Sequence, residues 1–266
     1  MFYLEKYNLK EKVVVINGGA RGIGYACAEA FAECGATIVL ADILPEVEAS
    51  AYKLKNNKNI MVDSKVIDLT YSEQIKTFAD SVLESHQKVD ILVNSQGIGG
   101  SLINAEEMTD ESWEYTLNLN LNHTFWGMRK ALQHMLPQED GRIIAISSVE
   151  GKMRTETVSH YVATKHAING LVKTAAHEVG ESGVTVNAIL PGFVKTDLFY
   201  ESAPQTAEAL GMDSLDEVAD MYSQGAAIKK PNTVEQVAAV AVMLARDEAR
   251  NFTACLFPVD GGTMPY

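Results

Sequence analysis

The feature that most constrains this chain is a regular alternation of short apolar runs with longer amphipathic segments. Most of the runs are rich in valine and isoleucine, and they lie at residues 13–16, 37–41, 65–68, 89–93, 142–147, 185–190 and 255–259. Continuous apolar runs of this length are typical of strands buried on both faces of a sheet. The segments between them have helical spacing, at residues 23–34, 45–55, 72–85, 111–136, 159–182 and 234–245. This alternation predicts an α/β fold, with a doubly wound parallel sheet of about seven strands and helices on both faces.

Two local signals refine this prediction. Thr109 is predicted to mark the start of the helix at 111–136, and Pro137 its end. The segment from about 196 to 230 follows a strand but does not return promptly to the sheet, and a long insertion of this kind is usually functional. We therefore predict one domain over residues 1–266, with a lid at about 196–230.

Charge and cysteine content narrow the classes of function. The net charge is −13, which disfavours nucleic acid and anionic membrane surfaces as partners. The cysteines, Cys27, Cys34 and Cys255, form no CxxC pair and no cluster with metal-ligand spacing. We expect no metal site and no disulfide framework. The chain opens without a signal-peptide pattern and has no apolar stretch of transmembrane length, so we expect a cytoplasmic protein with no membrane partner.

A glycine-rich turn follows the first predicted strand, in the sequence Asn-Gly-Gly-Ala-Arg-Gly-Ile-Gly at residues 17–24. Glycines at such a turn let the backbone approach a pyrophosphate, whose charge then lies at the N-terminus of the next helix. The spacing is Gly-x-x-x-Gly-x-Gly, a weak signal by itself. Its position between a first strand and a helix favours a dinucleotide site over an ordinary turn.

Asp42 follows the second predicted strand, about twenty residues after the glycine turn. An acidic residue at that point hydrogen-bonds the adenosine ribose hydroxyls, and its charge repels the extra phosphate of NADP. Arg21 argues mildly in the other direction, because a basic residue in the turn can pair with that phosphate. We give Asp42 more weight and predict NAD as the cofactor.

Tyr161 and Lys165 share one face of a predicted helix at spacing i, i+4. This pattern is common and means little alone, but Ser148 ends a predicted strand thirteen residues before Tyr161. The carboxyl ends of strands are where doubly wound sheets bind ligands. A phenol is a poor base at neutral pH, and we expect the neighbouring ammonium of Lys165, with an oxidised nicotinamide, to lower the pKa of Tyr161.

With these landmarks assembled, the chain resembles the short-chain dehydrogenase/reductase family from end to end. The matching stretches are the glycine turn at 18–24, Asp68, 94–97, Asn120, Ser148, the Tyr161/Lys165 pair, and Pro191-Gly192. Their order and spacing all agree with the family. The resemblance implies a Rossmann-type fold and NAD(P)-dependent oxidation or reduction at a CH–OH group.

The resemblance also implies roles for four catalytic residues. Tyr161 would take the proton from the alcohol during oxidation, or donate it during reduction. Lys165 would lower the pKa of that phenol and bind the nicotinamide ribose. Ser148 would hydrogen-bond the substrate oxygen. Asn120, in register with Trp113, would hold a water that relays protons from Lys165 to solvent.

The remaining implied contacts are with the dinucleotide. Asp68 and Leu69 would contact adenine, and Asn94 the adenosine ribose, while Val194 and Thr196 would fix the carboxamide of the nicotinamide. The predicted cofactor-binding set is Gly18, Arg21, Gly22, Ile23, Gly24, Asp42, Asp68, Leu69, Asn94, Gly97, Tyr161, Lys165, Pro191, Gly192, Val194 and Thr196.

The sequence departs from the family in three places. Asn17 stands where threonine usually opens the glycine turn, and it is still able to cap. Ser95-Gln96 replaces the usual Asn-Ala before Gly97, which affects the nucleotide wall. His123 replaces a usual glycine three residues after Asn120, which affects local packing. We expect the six histidines to take no direct part in catalysis.

The substrate is constrained mainly by the predicted lid. Residues 196–228 contain seven acidic side chains and no lysine or arginine. A lid for acyl carrier, coenzyme A or phosphorylated substrates is expected to offer cations. We therefore predict an uncharged, bulky secondary alcohol or ketone, such as a cyclic alcohol or a hydroxysteroid. Lys152 and Arg154 leave open a remote carboxylate, and the apolar lid residues are as able to pack the lid as to cover a ligand.

Two alternatives stay open: a 3-oxoacyl thioester reductase on the same fold, and a non-catalytic dinucleotide-binding sensor. The sensor class commonly loses the tyrosine or lysine, and both are present here. NAD is mostly oxidised in cells, so we expect the reaction to run toward the carbonyl. The segments at 111–136 and 159–182 would supply the helices through which family members pair, commonly as homotetramers.

Overall fold

The computed structural model describes residues 7–58 and 60–264, and its centre is one parallel sheet of seven strands. The strands lie in the order β3-β2-β1-β4-β5-β6-β7. Their bounds are β1 Val13–Asn17, β2 Thr37–Asp42, β3 Val62–Val66, β4 Ile91–Asn94, β5 Gly141–Ile146, β6 Val184–Pro191 and β7 Leu256–Val259. The strand order reverses at β1, which pairs with β2 on one side and with β4 on the other. This is the predicted doubly wound sheet, and it opens a crevice at the carboxyl ends of β1 and β4.

Nine α-helices connect and cover the strands in the described part of the chain. Their bounds are α1 Gly22–Glu33, α2 Glu46–Lys58, α3 Ser72–His86, α4 Asp110–Leu117, α5 His123–Gln138, α6 Ser159–Glu178, α7 Asp197–Leu210, α8 Leu215–Gln224 and α9 Val234–Leu244. No helix in this part of the chain is both long and apolar enough to cross a membrane.

The strand residues divide alternately between two hydrophobic cores, which shows that helices cover both faces as predicted. From β1, Val14 and Ile16 join the core that contains side chains of α1, α2 and α9. Val13 and Val15 join the opposite core, with side chains of α3, α5 and α6. Because successive strand side chains point to opposite faces, a strand buried on both faces is mostly apolar along its whole length. All five residues of β1 are buried.

The third strand lies three residues earlier than the sequence pattern indicated. The prediction was residues 65–68, whereas β3 spans Val62–Val66 and pairs Ile38 with Val62. This strand is at the edge of the sheet and only its first residue is buried. Its position is therefore set by backbone pairing with β2, and hydrophobic pattern carries little information there.

The helix predicted over 111–136 is divided in the structure. It begins as predicted, with the Thr109 hydroxyl accepting a hydrogen bond from the Ser112 N–H at 3.2 Å. A π-helical turn, Asn118–Asn122, then separates α4 from α5. The helix ends at Gln138, one residue beyond the predicted stop at Pro137, where Glu139 adopts a left-handed conformation. Such π turns are frequent at functional sites.

The segment at 196–230, predicted as a lid insertion, contains the two helices α7 and α8. The two helices share a small hydrophobic cluster of their own, which includes Phe199, Ala203 and Val218. Leu198 and Tyr200, on the same segment, are exposed. The apolar residues of this segment thus divide between internal packing and the surface.

The turn between β1 and α1 requires glycine at position 24. A Cβ atom there would lie 1.9 Å from the carbonyl oxygen of Gly18, which is too close for any side chain. We predict that Gly24→Ala lowers the free energy of unfolding by about 2–3 kcal/mol and weakens dinucleotide binding.

Gly170 is the matched control, because it lies on α6 and a Cβ there would have no neighbour within 4 Å. Gly170→Ala should raise the free energy of unfolding by about 0.5–1 kcal/mol. Urea unfolding of both variants measures the difference, and equal stabilities would contradict the prediction.

Candidate functional site

A cleft of about 270 Å³ lies at the carboxyl ends of β1 and β4, between the glycine turn and the start of α7. It brings together half of the predicted cofactor-binding residues: Gly18, Arg21, Gly22, Ile23, Gly24, Asp42, Gly97 and Thr196. It also contains residues that sequence reasoning did not select, among them Gln96, Tyr115, Leu119 and Glu201. Tyr115 lies on α4 just before the π turn, and Leu119 lies within that turn. That turn leaves no signal in the hydrophobic pattern.

The glycine turn presents the backbone at the start of α1 to this cleft. Gly18 and Gly22 have φ values of 80° and 57°, a region that suits glycine. The N–H groups of Gly18 and Gly19 donate to Ala41 at 2.8 and 3.2 Å, which holds the turn against β2. No side chain of the described residues caps the N-terminus of α1. Its free N–H groups and the positive end of the helix dipole suit an anion such as a pyrophosphate.

Asp42 ends β2 with its carboxylate in the cleft and bound to the backbone. One oxygen accepts from Ala20 N–H at 3.0 Å, and the other from Leu44 N–H at 3.1 Å. These bonds fix the carboxylate beside the glycine turn and leave lone pairs on both oxygens. The geometry suits acceptance of hydrogen bonds from ribose hydroxyls.

The cleft also holds an unusual polar group at Gln96. Both atoms of its side-chain amide are buried and have no hydrogen-bond partner among the described residues. A buried amide without partners is costly, and a polar ligand in the cleft would satisfy it. Together with the glycine turn and Asp42, this orphaned amide fits the binding of a dinucleotide.

The other predicted cofactor contacts lie outside the lining of this cleft. Leu69 is fully buried in the core. The carboxylate of Asp68 accepts from the N–H and the hydroxyl of Thr70, at 2.9 and 2.7 Å. Val194 pairs with Asn232 in an isolated bridge. Pro191 ends β6, and Gly192 follows it against Asp260.

Asn94 and Asn17 bind each other at the ends of the adjacent strands β4 and β1. Asn17 Nδ2 donates to Asn94 Oδ1 at 2.8 Å, and Asn94 Nδ2 donates to Thr124 O at 3.4 Å. The amide of Asn94 is thus committed to the protein, and the predicted contact with a ribose stays a prediction. Asn17 does not cap α1, contrary to the expectation, because Arg21 is the N-cap residue. Its buried amide joins two strands instead.

Ser148 and Tyr161 lie together beyond the end of β5. Ser148 follows this strand and accepts a hydrogen bond from Glu150 N–H at 3.2 Å. Burial raises the pKa of Tyr161 to about 12; a hydrogen bond with Ser148 opposes the rise and the charge of Glu150 adds to it. The expectation that Lys165 lowers this pKa is therefore not met in the protein without a bound cofactor. Desolvation of the phenolate is the larger effect, and it raises the pKa. At neutral pH the Tyr161 hydroxyl is protonated.

Lys165 lies one helical turn from Tyr161 and is almost fully buried. Its Nζ lies 5.5 Å from the centroid of the Tyr161 ring and donates to Ile146 O at 3.0 Å. Burial lowers the pKa of Lys165 to about 8. A Cβ on Gly97 would lie 3.7 Å from this Nζ, so Gly97 brings the wall of the cleft close to the lysine.

Asn120 is at the centre of the π turn and is completely buried. Its Oδ1 accepts from Ile98 N–H at 2.8 Å, and its Nδ2 donates to Ile98 O at 2.9 Å and to Thr164 Oγ1 at 3.3 Å. The side chain therefore joins the loop after β4 to α6. This is a positioning role, and the predicted relay water stays a prediction.

Two buried histidines lie near these groups. His123 is fully buried, and burial together with the charge of Lys165 lowers its pKa to about 3, so it is neutral at physiological pH. His160 is buried against Gly100, at which a Cβ would lie 2.3 Å from the histidine Nε2. Within residues 7–58 and 60–264, no group of three His, Cys, Asp or Glu side chains is arranged to hold a metal.

A model of the short chain dehydrogenase family matches residues 12–207, a range that contains the glycine turn, Ser148, Tyr161 and Lys165. The chain belongs to the short-chain dehydrogenase family. It is accordingly an oxidoreductase that acts on CH–OH groups or the corresponding carbonyls of small molecules, with a nicotinamide dinucleotide as redox partner. This confirms the resemblance stated from the sequence.

Individual relatives span nearly the whole chain. D-beta-hydroxybutyrate dehydrogenase of Rhizobium meliloti is 36% identical over 94% of this chain and 98% of its own length. A 3-oxoacyl-acyl-carrier-protein reductase of Thermotoga maritima is 32% identical, with 96% and 98% covered. The crystal structure of L-sorbose reductase from Gluconobacter frateurii, complexed with NADPH and L-sorbose, is 29% identical, with a TM-score of 0.91 and 98% and 99% covered. The relatives thus differ in substrate, and one of them binds NADPH.

The burial of Lys165 is expected to lower the stability of the protein at neutral pH, because it lowers the pKa of this lysine. The folded-state pKa of about 8 lies below the ordinary value of 10.5, so the unfolded chain binds more protons between these two pH values. The free energy of unfolding of the wild-type protein therefore rises with pH between about 8 and 10.5, as far as this lysine contributes to it. We predict that Lys165→Met raises the free energy of unfolding at pH 7 by about 2 kcal/mol, and that the gain shrinks toward pH 10.5.

Lys173→Met is the control, because Lys173 lies on the same helix and is exposed. Urea unfolding at pH 7 and pH 9.5, without added nucleotide, measures both variants. A gain that does not change with pH, or a loss at pH 7, would refute this account of Lys165.

Proposed function

We propose that the chain is an NAD-dependent dehydrogenase that interconverts an uncharged secondary alcohol and its ketone. The proposal depends above all on one observation: Ser148, Tyr161 and buried Lys165 lie together beside the wall of the cleft that suits a dinucleotide. A bound nicotinamide dinucleotide would accept the hydride from the alcohol carbon or return it to the carbonyl carbon.

The protein's part in this reaction is to hold the oxygen and move one proton. In reduction, Tyr161 Oη donates its proton to the substrate oxygen as the carbonyl becomes an alcohol, and Ser148 Oγ hydrogen-bonds the same oxygen. A pKa of about 12 leaves the phenol protonated and ready for this step. In oxidation the phenolate must form first. We propose that Lys165 favours this form, binds the nicotinamide ribose, and is linked to solvent by a water held at Asn120.

We assign the dinucleotide to the cleft and favour NAD over NADP. The N-terminus of α1 would bind the pyrophosphate, with Asp42 at the adenosine ribose and Thr196 at the carboxamide. The carboxylate of Asp42 would repel a 2′-phosphate. The NADPH-bound structure of the L-sorbose reductase makes NADP the alternative to test.

Charge near the reacting groups favours an uncharged substrate. The negative charge of Glu150 acts on Tyr161, and the carboxylate accepts a hydrogen bond from the Thr155 hydroxyl at 2.7 Å rather than pairing with a lysine or arginine among the described residues. Lys152 and Arg154 are exposed. A carboxylate close to the carbinol would be repelled, which disfavours a short 3-hydroxy acid. The bulky cyclic or steroid-like alcohol stays our proposal, in line with a 3beta-hydroxysteroid dehydrogenase of Mediterraneibacter gnavus that is 31% identical.

The thioester reductase is the second candidate because of the 32% identity to an acyl-carrier-protein reductase. The α7–α8 segment argues against it. Residues 197–224 contain seven acidic side chains and no lysine or arginine. Of the lysines that flank them, Lys195 binds Asp216 at 3.2 Å and Lys229 donates to Gln224 O, whereas Lys230 is exposed. We propose that this segment is the lid and that it covers the non-reacting part of the substrate.

The test is an absorbance assay for reduced dinucleotide, with NAD and NADP against cyclic alcohols, hydroxysteroids, 3-hydroxybutyrate and a 3-hydroxyacyl thioester. We expect the highest kcat/KM with NAD and an uncharged cyclic substrate, and a loss of about 10²–10⁴-fold in kcat/KM in Tyr161→Phe.

Glu150→Gln should raise kcat/KM for 3-hydroxybutyrate relative to that for the cyclic alcohols, whereas Glu156→Gln, at an exposed position, should not. A thioester preferred by orders of magnitude would favour the second candidate. Binding without turnover would favour the sensor.

We also propose a homotetramer. Trp113 on α4 and Phe125 on α5 are 39% and 41% exposed, and large exposed apolar side chains on these helices suit a subunit contact. Sedimentation equilibrium at micromolar concentration should give four times the monomer mass, and a monomer at that concentration would refute the proposal.

A further inference from the structure

An ion pair crosses the mouth of the cleft between the glycine turn and the α7–α8 segment. Arg21 donates through Nη2 to Glu201 Oε2 at 2.9 Å and through Nη1 to the other carboxylate oxygen. The guanidinium and the carboxylate thus meet side by side, in the two-bond arrangement that is specific to arginine. Both residues line the cleft.

Arg21 is the one basic residue among those that line the cleft in the described structure. Asp42, Asp197 and Glu201 are the acidic ones. Because Glu201 engages both arms of the guanidinium, the cleft offers acidic groups and no unpaired cation. Such a surface disfavours an additional phosphate dianion on a dinucleotide.

Arg21 lies close in sequence to the proposed ribose site, so its pairing with Glu201 affects what that site can bind. Arg21 directly follows Ala20, whose N–H binds the Asp42 carboxylate at 3.0 Å. The long arginine side chain therefore begins beside the group proposed to hold the adenosine ribose. From this point a free guanidinium would be within reach of a phosphate on that ribose. In the structure it is turned away, toward α7.

We propose that Glu201 determines cofactor selectivity by occupying the Arg21 guanidinium in place of the 2′-phosphate of NADP. The proposal rests on the proposed binding of the dinucleotide in this cleft. Asp42 repels the phosphate, and Glu201 withholds the cation that would attract it. The same pair fastens the N-terminal half of α7 to the glycine turn.

The experiment measures Kd for NADH and NADPH by titration of nucleotide fluorescence, without turnover. The variants are Asp42→Ala, Glu201→Gln, the double variant, and the double variant with Arg21→Gln. Removing Asp42 first exposes the effect of Arg21, since repulsion by Asp42 would otherwise mask it. Glu208→Gln is the matched control, because it removes an exposed acid on the same helix. Circular dichroism on each variant checks folding.

We expect the double variant to bind NADPH with a Kd about five- to tenfold lower than Asp42→Ala, since charge-assisted arginine–phosphate bonds are strong. The ratio of the Kd for NADH to the Kd for NADPH should rise by a similar factor, and Arg21→Gln should remove this gain. The Glu208→Gln control should leave both Kd values unchanged. If Glu201→Gln gives no gain in the Asp42→Ala background, or if the gain persists without Arg21, the proposal is wrong.

These outcomes are separate from those of the proposed function. If Asp42→Ala alone leaves the ratio of the two Kd values unchanged, the placement of the adenosine ribose fails, whatever Glu201 does. If neither nucleotide binds the wild-type protein, the dinucleotide assignment fails. A gain that appears in the Asp42→Ala background and depends on both Arg21 and Glu201 supports the selectivity device itself.

Discussion

The parallel pairing of β1 with β4 is the interaction on which the rest of the site depends. It places Asn17 opposite Asn94 at the ends of two buried strands, and the side chains of these residues bind each other. Because the order of strands reverses here, the following loops separate and leave a crevice. The glycine turn enters it from one strand, and the loop containing Gln96 and Gly97 enters it from the other.

Burial of polar groups is the second constraint. It places the reactive side chains where they lower the stability of the fold. Tyr161 and Lys165 lie where water is largely excluded, which raises the pKa of the phenol and lowers that of the amine. Both shifts oppose the charged forms. Solvent screens charge only weakly at a buried site. The charge that develops during proton transfer is therefore stabilised mainly by fixed polar groups of the protein nearby. Asn120 serves this arrangement by joining the loop after β4 to α6.

Much of the fold was predictable because strands buried on both faces leave a strong apolar signature. The strands at the centre of the sheet were located within two residues, whereas the edge strand β3 was displaced, since few of its side chains are buried. The π turn at Asn118–Asn122 was not predicted. It interrupts one continuous amphipathic pattern, and the hydrogen bonds of Asn120 with Ile98 and Thr164 are tertiary contacts that no local pattern encodes.

The sequence by itself determined the layered sheet, the glycine turn and the spacing of Ser148, Tyr161 and Lys165. The sheet follows from local hydrophobic periodicity. The glycine turn and the three spaced side chains follow from a combination of residue types that few other structures require. The tertiary structure alone decided that burial raises the pKa of the phenol, that Asn94 is committed to Asn17, and that Arg21 is paired with Glu201. Arg21 and Glu201 are 180 residues apart in sequence, and only the packing of α7 over the cleft brings their charges together.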